Sequence, residues 1–406
     1  MKKRSLMKKS NYYLLVIILL AGVLLIGASH SGVRAQDLTA AIIAQIEGKQ
    51  PSSGRELDAL TLQEVMQKYN VPGISVAVIK DYRIQWVKGY GVADIETKEP
   101  VKTDTLFQAA SISKPVTAMA VLKAVQDGRV LLDDDINKML RSWKVPQSDF
   151  TKSMPVTPRS LLSHTSGADD GFGFPGYSPA QPRPTLLQII AGEKPSNTKP
   201  VLFARAPYTA FKYSGGGLTI MQLALMEALK KPFAEIMMKS VLAPLGMANS
   251  TYEQPLPAGV EAKAARAHSL QGKSMDAKWH IYPEQAAAGL WTTPTDLALF
   301  IVEIQQSLNG SGGRVLSRKM AQEMITPTGV GPFAVGLTIS KRGEGWYFNH
   351  SGGNWGFRCD MVAHIRKGYG VVIMTNGDNG GPVIREFEER VAMAYKWDTL
   401  DKPLQR

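Results

Sequence analysis

The stretch ASISKPVTAM (110–119) sets two serines and a lysine at the start of a helix-like run. Residues three apart share a helix face, so Lys114 can reach Ser111, whereas Ser113, its immediate neighbour, points about 100° away. A serine hydroxyl attacks only when a base takes its proton, and an amine whose pKa is lowered by burial or positive potential can be that base. A helix N-terminus contributes positive potential, and its exposed N–H groups can hold an oxyanion. Read alone, the stretch is explained more simply as a polar helix start with a surface lysine. The Ser-x-x-Lys spacing also occurs at Ser5/Lys8, in a basic leader, and at Ser196/Lys199, in a Pro-rich segment.

Two distant stretches add chemistry. FKYSGGG (211–217) puts Tyr213 just before a glycine-rich turn and an apolar helix, and FNHSGGNWGF (348–357) puts His350 and three glycines beside strand-like sequence. A glycine-rich edge next to a strand lets a substrate backbone come close. Other motifs fail. GFGFPG (171–176) has no strand before it and no helix after it, which excludes dinucleotide binding. GKS (272–274) has Ala267 where a phosphate loop needs its first glycine, and there is neither HExxH nor GxSxG. Six scattered histidines and Cys359 offer no zinc-ligand spacing. His164, in LLSHTSG, reads as a loop-fixing residue, and His268, His280 and His364 read as structural. Trp291 and Trp355 read as core or cleft wall, and Cys359 as a buried strand residue.

Positioning these groups takes elements from the whole chain. Apolar spacing predicts a helix from about Glu56 to Tyr69, stopped by Asn70 and Pro72. Gly73–Asp94 reads as two strands around a turn at Lys80–Tyr82, with Ile74, Val76 and Val78 alternating. Ser111 to about Gln126 reads as a helix closed by Gly128, and Thr157-Pro158 and Thr293-Pro294 open two more, with Asp296 completing a capping box. Gly167–Tyr208 reads as a long functional loop. Four strand-like stretches follow between 333 and 376, and 382–397 is an amphipathic helix carrying Val383, Ile384, Phe387, Val391 and Tyr395. Strands at both ends and helices between them predict one sheet completed late, with a helical region inserted.

In order, SISK (111–114), YSG (213–215) and HSGG (350–353) resemble the motifs of the serine β-lactamase and penicillin-binding protein superfamily. The likeness is greatest to the branch with class C β-lactamases, D-peptidases and family VIII esterases. LLSHTSG (161–167), LAPLGMANSTY (242–252), AAAGLWTTPTDLALF (286–300) and GVVIMTNGDNGG (370–381) extend it over roughly 55–397. The resemblance implies an α/β (α+β sandwich) fold of class C β-lactamase type, an antiparallel sheet flanked by helices with an inserted all-helical subdomain. The sheet part would span about 55–110 and 330–400 and the helical part about 111–329, within one domain from 36 to 406.

It also implies an acyl-enzyme on Ser111, with Lys114 and Tyr213 sharing the base role, His350 in the catalytic set, and an oxyanion hole from the N–H groups of Ser111 and Gly353. Ser351, Gly352 and Gly215 would border the substrate, with no metal or organic cofactor. Two departures from the lactamase pattern matter. Gly215 replaces the asparagine of Tyr-x-Asn, which helps hold a β-lactam's acylamide arm. His350 replaces the lysine of Lys-Thr-Gly, and a histidine, mostly neutral at pH 7, is a weaker carboxylate anchor. Substrates implied are D-amino-acid peptides, small acyl esters or β-lactams. The other class of reading is a penicillin-binding sensor without turnover.

Composition sets the remaining bounds. The 406 residues are 44% hydrophobic and 20% charged, enough for a sizeable core. Residues 1–35 run from a basic start through the apolar Tyr12–Ala28 to small residues Val33 and Ala35, the order of a signal peptide cut before Gln36. Left uncleaved, that run approaches the length of a membrane anchor. The leader holds Lys2, Lys3, Arg4, Lys8, Lys9 and Arg34 and no acid, so half of the +12 formal charge leaves with it. The mature chain has no basic, aromatic-interleaved run, so the expected partner is a small-molecule or peptide substrate and not nucleic acid. The sequence does not specify an oligomeric state.

Overall fold

The computed structural model describes residues 37–171 and 173–397. The N-terminal leader lies outside them, and no helix among the described residues is long and apolar enough to cross a membrane. The chain divides into two compact units after Leu62. In the first, a helix at 37–47 precedes a turn at Glu56–Ala59. There Asp58 accepts the N–H and hydroxyl of Ser53 at 2.8 and 2.7 Å and pairs with Arg55 at 2.7 Å. Leu60 is extended, so the single helix expected from Glu56 to Tyr69 breaks there and resumes as Leu62–Lys68.

The second unit is built on a seven-stranded antiparallel sheet. Its strands are β1 (Gly73–Lys80), β2 (Arg83–Asp94), β3 (Glu99–Pro100), β4 (Thr338–Arg342), β5 (Gly345–Asn354), β6 (Phe357–His364) and β7 (Gly370–Thr375). Their spatial order is β3-β2-β1-β7-β6-β5-β4, so the last strand in sequence joins the two ends of the chain. Residues 81 and 82 turn β1 into β2 with φ of 52° and 61°, the twist that a two-residue hairpin needs. β7 pairs with β1 from Ile74↔Thr375 to Ile79↔Gly370 and with β6 from Arg358↔Thr375 to Ala363↔Gly370.

Helices cover both faces. We label α1 (Ser113–Gln126), α2 (Gly215–Leu229), α3 (Gln285–Ala288), α4 (Pro294–Asn309) and α5 (Gly380–Ala394). Ala77, Ile79, Cys359, Met361, Val372 and Met374 share one core with Val116 and Met119 of α1 and Phe300 and Ile304 of α4. Side chains alternate across a strand, so Val76, Val78 and Ile373 face the other way, toward α5 with its buried Val383, Phe387 and Val391. β1 and β7 are thus apolar almost throughout, as strands covered on both faces must be.

Local signals explain the helix starts. The hydroxyl of Thr157 accepts Ser160 N–H and opens Pro158–Leu162, and that of Thr293 accepts Asp296 N–H and opens α4. Asp296 does not close the expected box. Its carboxylate instead accepts Asn249 N–H at 2.8 Å and Ser250 Oγ–H at 2.7 Å, tying α4 to a neighbouring loop. The segment 167–208 holds more structure than a plain loop. Thr185 and Gln188 cap a helix at Leu186–Ala191, and Ala168–Asp169 pairs with Leu202–Phe203.

Candidate active site

Ser111 lies in a tight turn, Ala110–Ile112, that precedes α1, rather than in the helix itself. Ala110 is buried and holds φ at +48°, a region that costs a residue with a side chain about 1–3 kcal/mol and recurs at functional sites. Lys114 Nζ donates to Ser111 Oγ at 2.9 Å and to the Ala287 carbonyl of α3 at 2.8 Å, with the residue 2% exposed. Ser113 is spent on structure: its hydroxyl donates to the Ala110 carbonyl at 2.6 Å and accepts Leu290 N–H at 3.0 Å.

Tyr213 arrives from the chain just before α2. Its ring lies 5.0 Å from Lys114 Nζ and stacks on His164 at 4.2 Å between centroids. His164 holds this segment in place, since its Nδ1 accepts Ser214 N–H at 3.1 Å and its carbonyl accepts Lys212 N–H at 2.9 Å. Nδ1 is therefore the lone pair of the neutral ring, and the proton sits on Nε2. Burial, and then the Lys114 charge, hold His164 well below the usual histidine range.

The third side is β5. His350 is 5% exposed, and its Nδ1 donates to the Ser351 carbonyl at 2.6 Å, leaving Nε2 as a buried acceptor with no partner among the described residues. Burial first, and then Lys114, push its pKa down to about 3. The ring is neutral at any physiological pH and offers an acceptor instead of a cation. β4 pairs with β5 only as far as Asn349, so residues 350–354 have no strand on that side. The β5–β6 hairpin closes at Asn354↔Phe357, and bonded and non-bonded pairs alternate from there. Gly353, the next residue, therefore turns its N–H and C=O toward the unpaired edge.

Gly352 lets this edge meet the Ser111 turn. A Cβ there would lie 2.4 Å from the Ala109 carbonyl oxygen and 2.5 Å from Cys359 Sγ. Cys359, buried as expected, donates its thiol to that same carbonyl at 3.0 Å. Ser351 is exposed along the edge.

Gly215 opens α2, and a Cβ on it would lie 2.6 Å from Cε2 of Phe174. Phe174 and Asp170 are neighbours of this site that the sequence does not single out. Asp170 accepts Ser214 Oγ–H and, at 2.6 Å, Gly216 N–H. Burial raises its pKa, and those two bonds oppose the rise. Neither residue has a spacing signature, and the Ala287 carbonyl, a backbone atom, has no residue signature at all. Among the other candidates, Trp291 is fully buried in the core, and Trp355 stacks on His280 beside the β5–β6 turn. His268 and His364 bond to backbone away from this cluster. No cluster of possible metal ligands occurs among the described residues.

A serine beside an amine, a tyrosine and an unpaired strand edge, on an antiparallel sheet with helices on both faces, is an arrangement suited to acyl transfer. The chain belongs to the Beta-lactamase family, whose model matches residues 59–393. It is 23% identical over 344 residues to Protein flp of Staphylococcus aureus, covering 80% of this chain but 63% of that protein's length. It is 26% identical over 298 residues to a beta-lactamase of Pseudomonas fluorescens, covering 72% of this chain and 74% of that one. Its fold matches a D-alanine carboxypeptidase of Burkholderia cenocepacia with a TM-score of 0.63 at 21% identity, covering 89% and 99% of the two chains.

Proposed function

We propose that the protein cleaves amide or ester bonds through an acyl-enzyme on Ser111. The observation that carries this reading is the 2.9 Å contact between Lys114 Nζ and Ser111 Oγ, a distance suited to proton transfer. Ser111 Oγ attacks the carbonyl carbon while its proton passes into the Lys114–Tyr213 pair. The oxyanion is received by the N–H groups of Ser111 and Gly353, already fixed by the turn and the strand edge. As the carbonyl re-forms, the bond to the leaving group breaks, and the pair returns the proton to that group. Water then adds to the acyl carbon by the same route and frees Ser111. His350 and Gly352 shape this edge, and Ser351 lies along it.

Two features put small acyl esters ahead of β-lactams and of acylated D-amino-acid peptides, both of which present an acylamino arm and a carboxylate. Gly215 brings no amide side chain to the acyl group, and neutral His350 gives a substrate carboxylate no cation. Export is part of the same proposal and rests on the sequence of residues 1–35.

The test is incubation with a fluorophosphonate, a penicillin and a p-nitrophenyl ester, with mass spectrometry to locate the adduct. Label is expected on Ser111, and Ser111→Ala should lose turnover by about a thousandfold or more. Ser113→Ala should keep the label while losing about 1–3 kcal/mol of stability, the cost of unpairing buried polar groups. Full turnover by Ser111→Ala would end the proposal. A long-lived penicillin adduct without ester turnover would point to a sensor instead.

A further inference from the structure

We infer that Phe174 selects the acyl group that Ser111 accepts, favouring an apolar arm over an acylamino arm. The inference rests on the Ser111 acyl-enzyme and narrows its substrate. Gly215 stands two residues after Tyr213, and the direction a side chain would take from it is occupied by the Phe174 ring, 2.6 Å from an ideal Cβ. An aromatic edge thus stands where a side chain at 215 would bring donors and acceptors. A substrate amide pressed against that ring gives up its water without regaining hydrogen bonds, whereas a hydrocarbon arm gains by leaving water.

The ring is held on both flanks. Upstream, Asp170 bonds to Ser214 Oγ and to Gly216 N–H at 2.6 Å, fixing the chain to the start of α2. Downstream, Tyr177 and Ile281 exchange backbone bonds at 2.9 and 2.8 Å, and His280 Nδ1 donates to the Pro175 carbonyl at 2.9 Å. The His280 ring lies flat on Trp355, 4.0 Å between centroids, so the same loop is also tied to the turn that follows Gly353. The loop that carries Phe174 is therefore tied both to the start of α2 and to the turn that follows Gly353.

The test compares two phenyl esters with one leaving group and closely matched acyl shapes: N-acetyl-D-alaninate, and 2-methylpentanoate of matching configuration. Wild type should favour the hydrocarbon ester in kcat/KM by tenfold or more. Phe174→Ala should reduce that preference at least fivefold by raising turnover of the acylamino ester. Adding Gly215→Asn to Phe174→Ala should bring the acylamino ester level or ahead, because the space left by the ring then holds an amide side chain. Phe174→Leu, which keeps an apolar filler, should stay within about threefold of the wild-type ratio. A wild-type preference for the acylamino ester, or an unchanged ratio in folded Phe174→Ala, overturns the inference while leaving Ser111 as nucleophile. Absence of turnover of both esters, with no label on Ser111, overturns the acyl-enzyme and this inference with it.

Discussion

At the scale of single residues, what matters is which polar atoms are already committed. Ser113 has both its donor and its acceptor engaged by the backbone, while Ser111, two residues earlier, shares its oxygen with Lys114. His164 and His350 are buried beside that lysine, and both are held neutral by burial and by its charge. For His350 the pKa falls from an ordinary 6.5 to about 3. Between those values the unfolded chain binds a proton that the folded one refuses. The stability this ring contributes is complete above about pH 6.5 and drains away as pH falls toward 3. The C2–H resonance of His350 should therefore stay flat from pH 5 to 8. His350→Asn should make the melting temperature less sensitive to acid over pH 4–6. A titration near 6.5 would contradict the burial described for the ring.

At the scale of elements, α3 is where chemistry and stability meet. Its Ala287 carbonyl holds Lys114, and at its N-terminal boundary Glu284 is fully buried with neither carboxylate oxygen partnered among the described residues. Burial pushes Glu284 up to about 8 from an ordinary 4.5. Here the folded chain keeps a proton that the unfolded chain has lost, so stability falls as pH rises from about 4.5 to 8. That rise corresponds to about 4–5 kcal/mol across the window. Glu284→Gln should raise the melting temperature clearly at pH 8.5 and little at pH 5, and the difference between the two pH values is the measurement. An equal change at both would mean that the side chain acts through packing alone.

At the scale of the whole molecule, the sheet joins the two ends of the chain. β7 lies between β1 and β6, and its six residues are all buried. Removing residues 370–406 would uncover the edges of two central strands and strip α5 from its face. Such a chain should be insoluble or lack a cooperative unfolding transition, as read by solubility and calorimetry. A cooperative, soluble product would show that the sheet does not depend on its last strand.

The sequence alone carried whatever depends on near neighbours. The i, i+3 spacing separated Ser111 from Ser113, alternation marked β1 and the late strands, and Thr157 and Thr293 announced their helices, because caps and periodicities are local. The order of SISK, YSG and HSGG along the chain is itself enough to resemble the family. Other features needed the packed molecule. The turn at Ala110 displaced Ser111 from the helix proper, and Asp296 left its capping box for Asn249 and Ser250. The positions of Phe174 against Gly215 and of the Ala287 carbonyl on Lys114 join segments far apart in sequence, and no periodicity encodes such contacts. The neutrality of His350 is likewise a property of burial. A residue type states what can ionise, and only the surrounding protein decides whether charge is tolerated there.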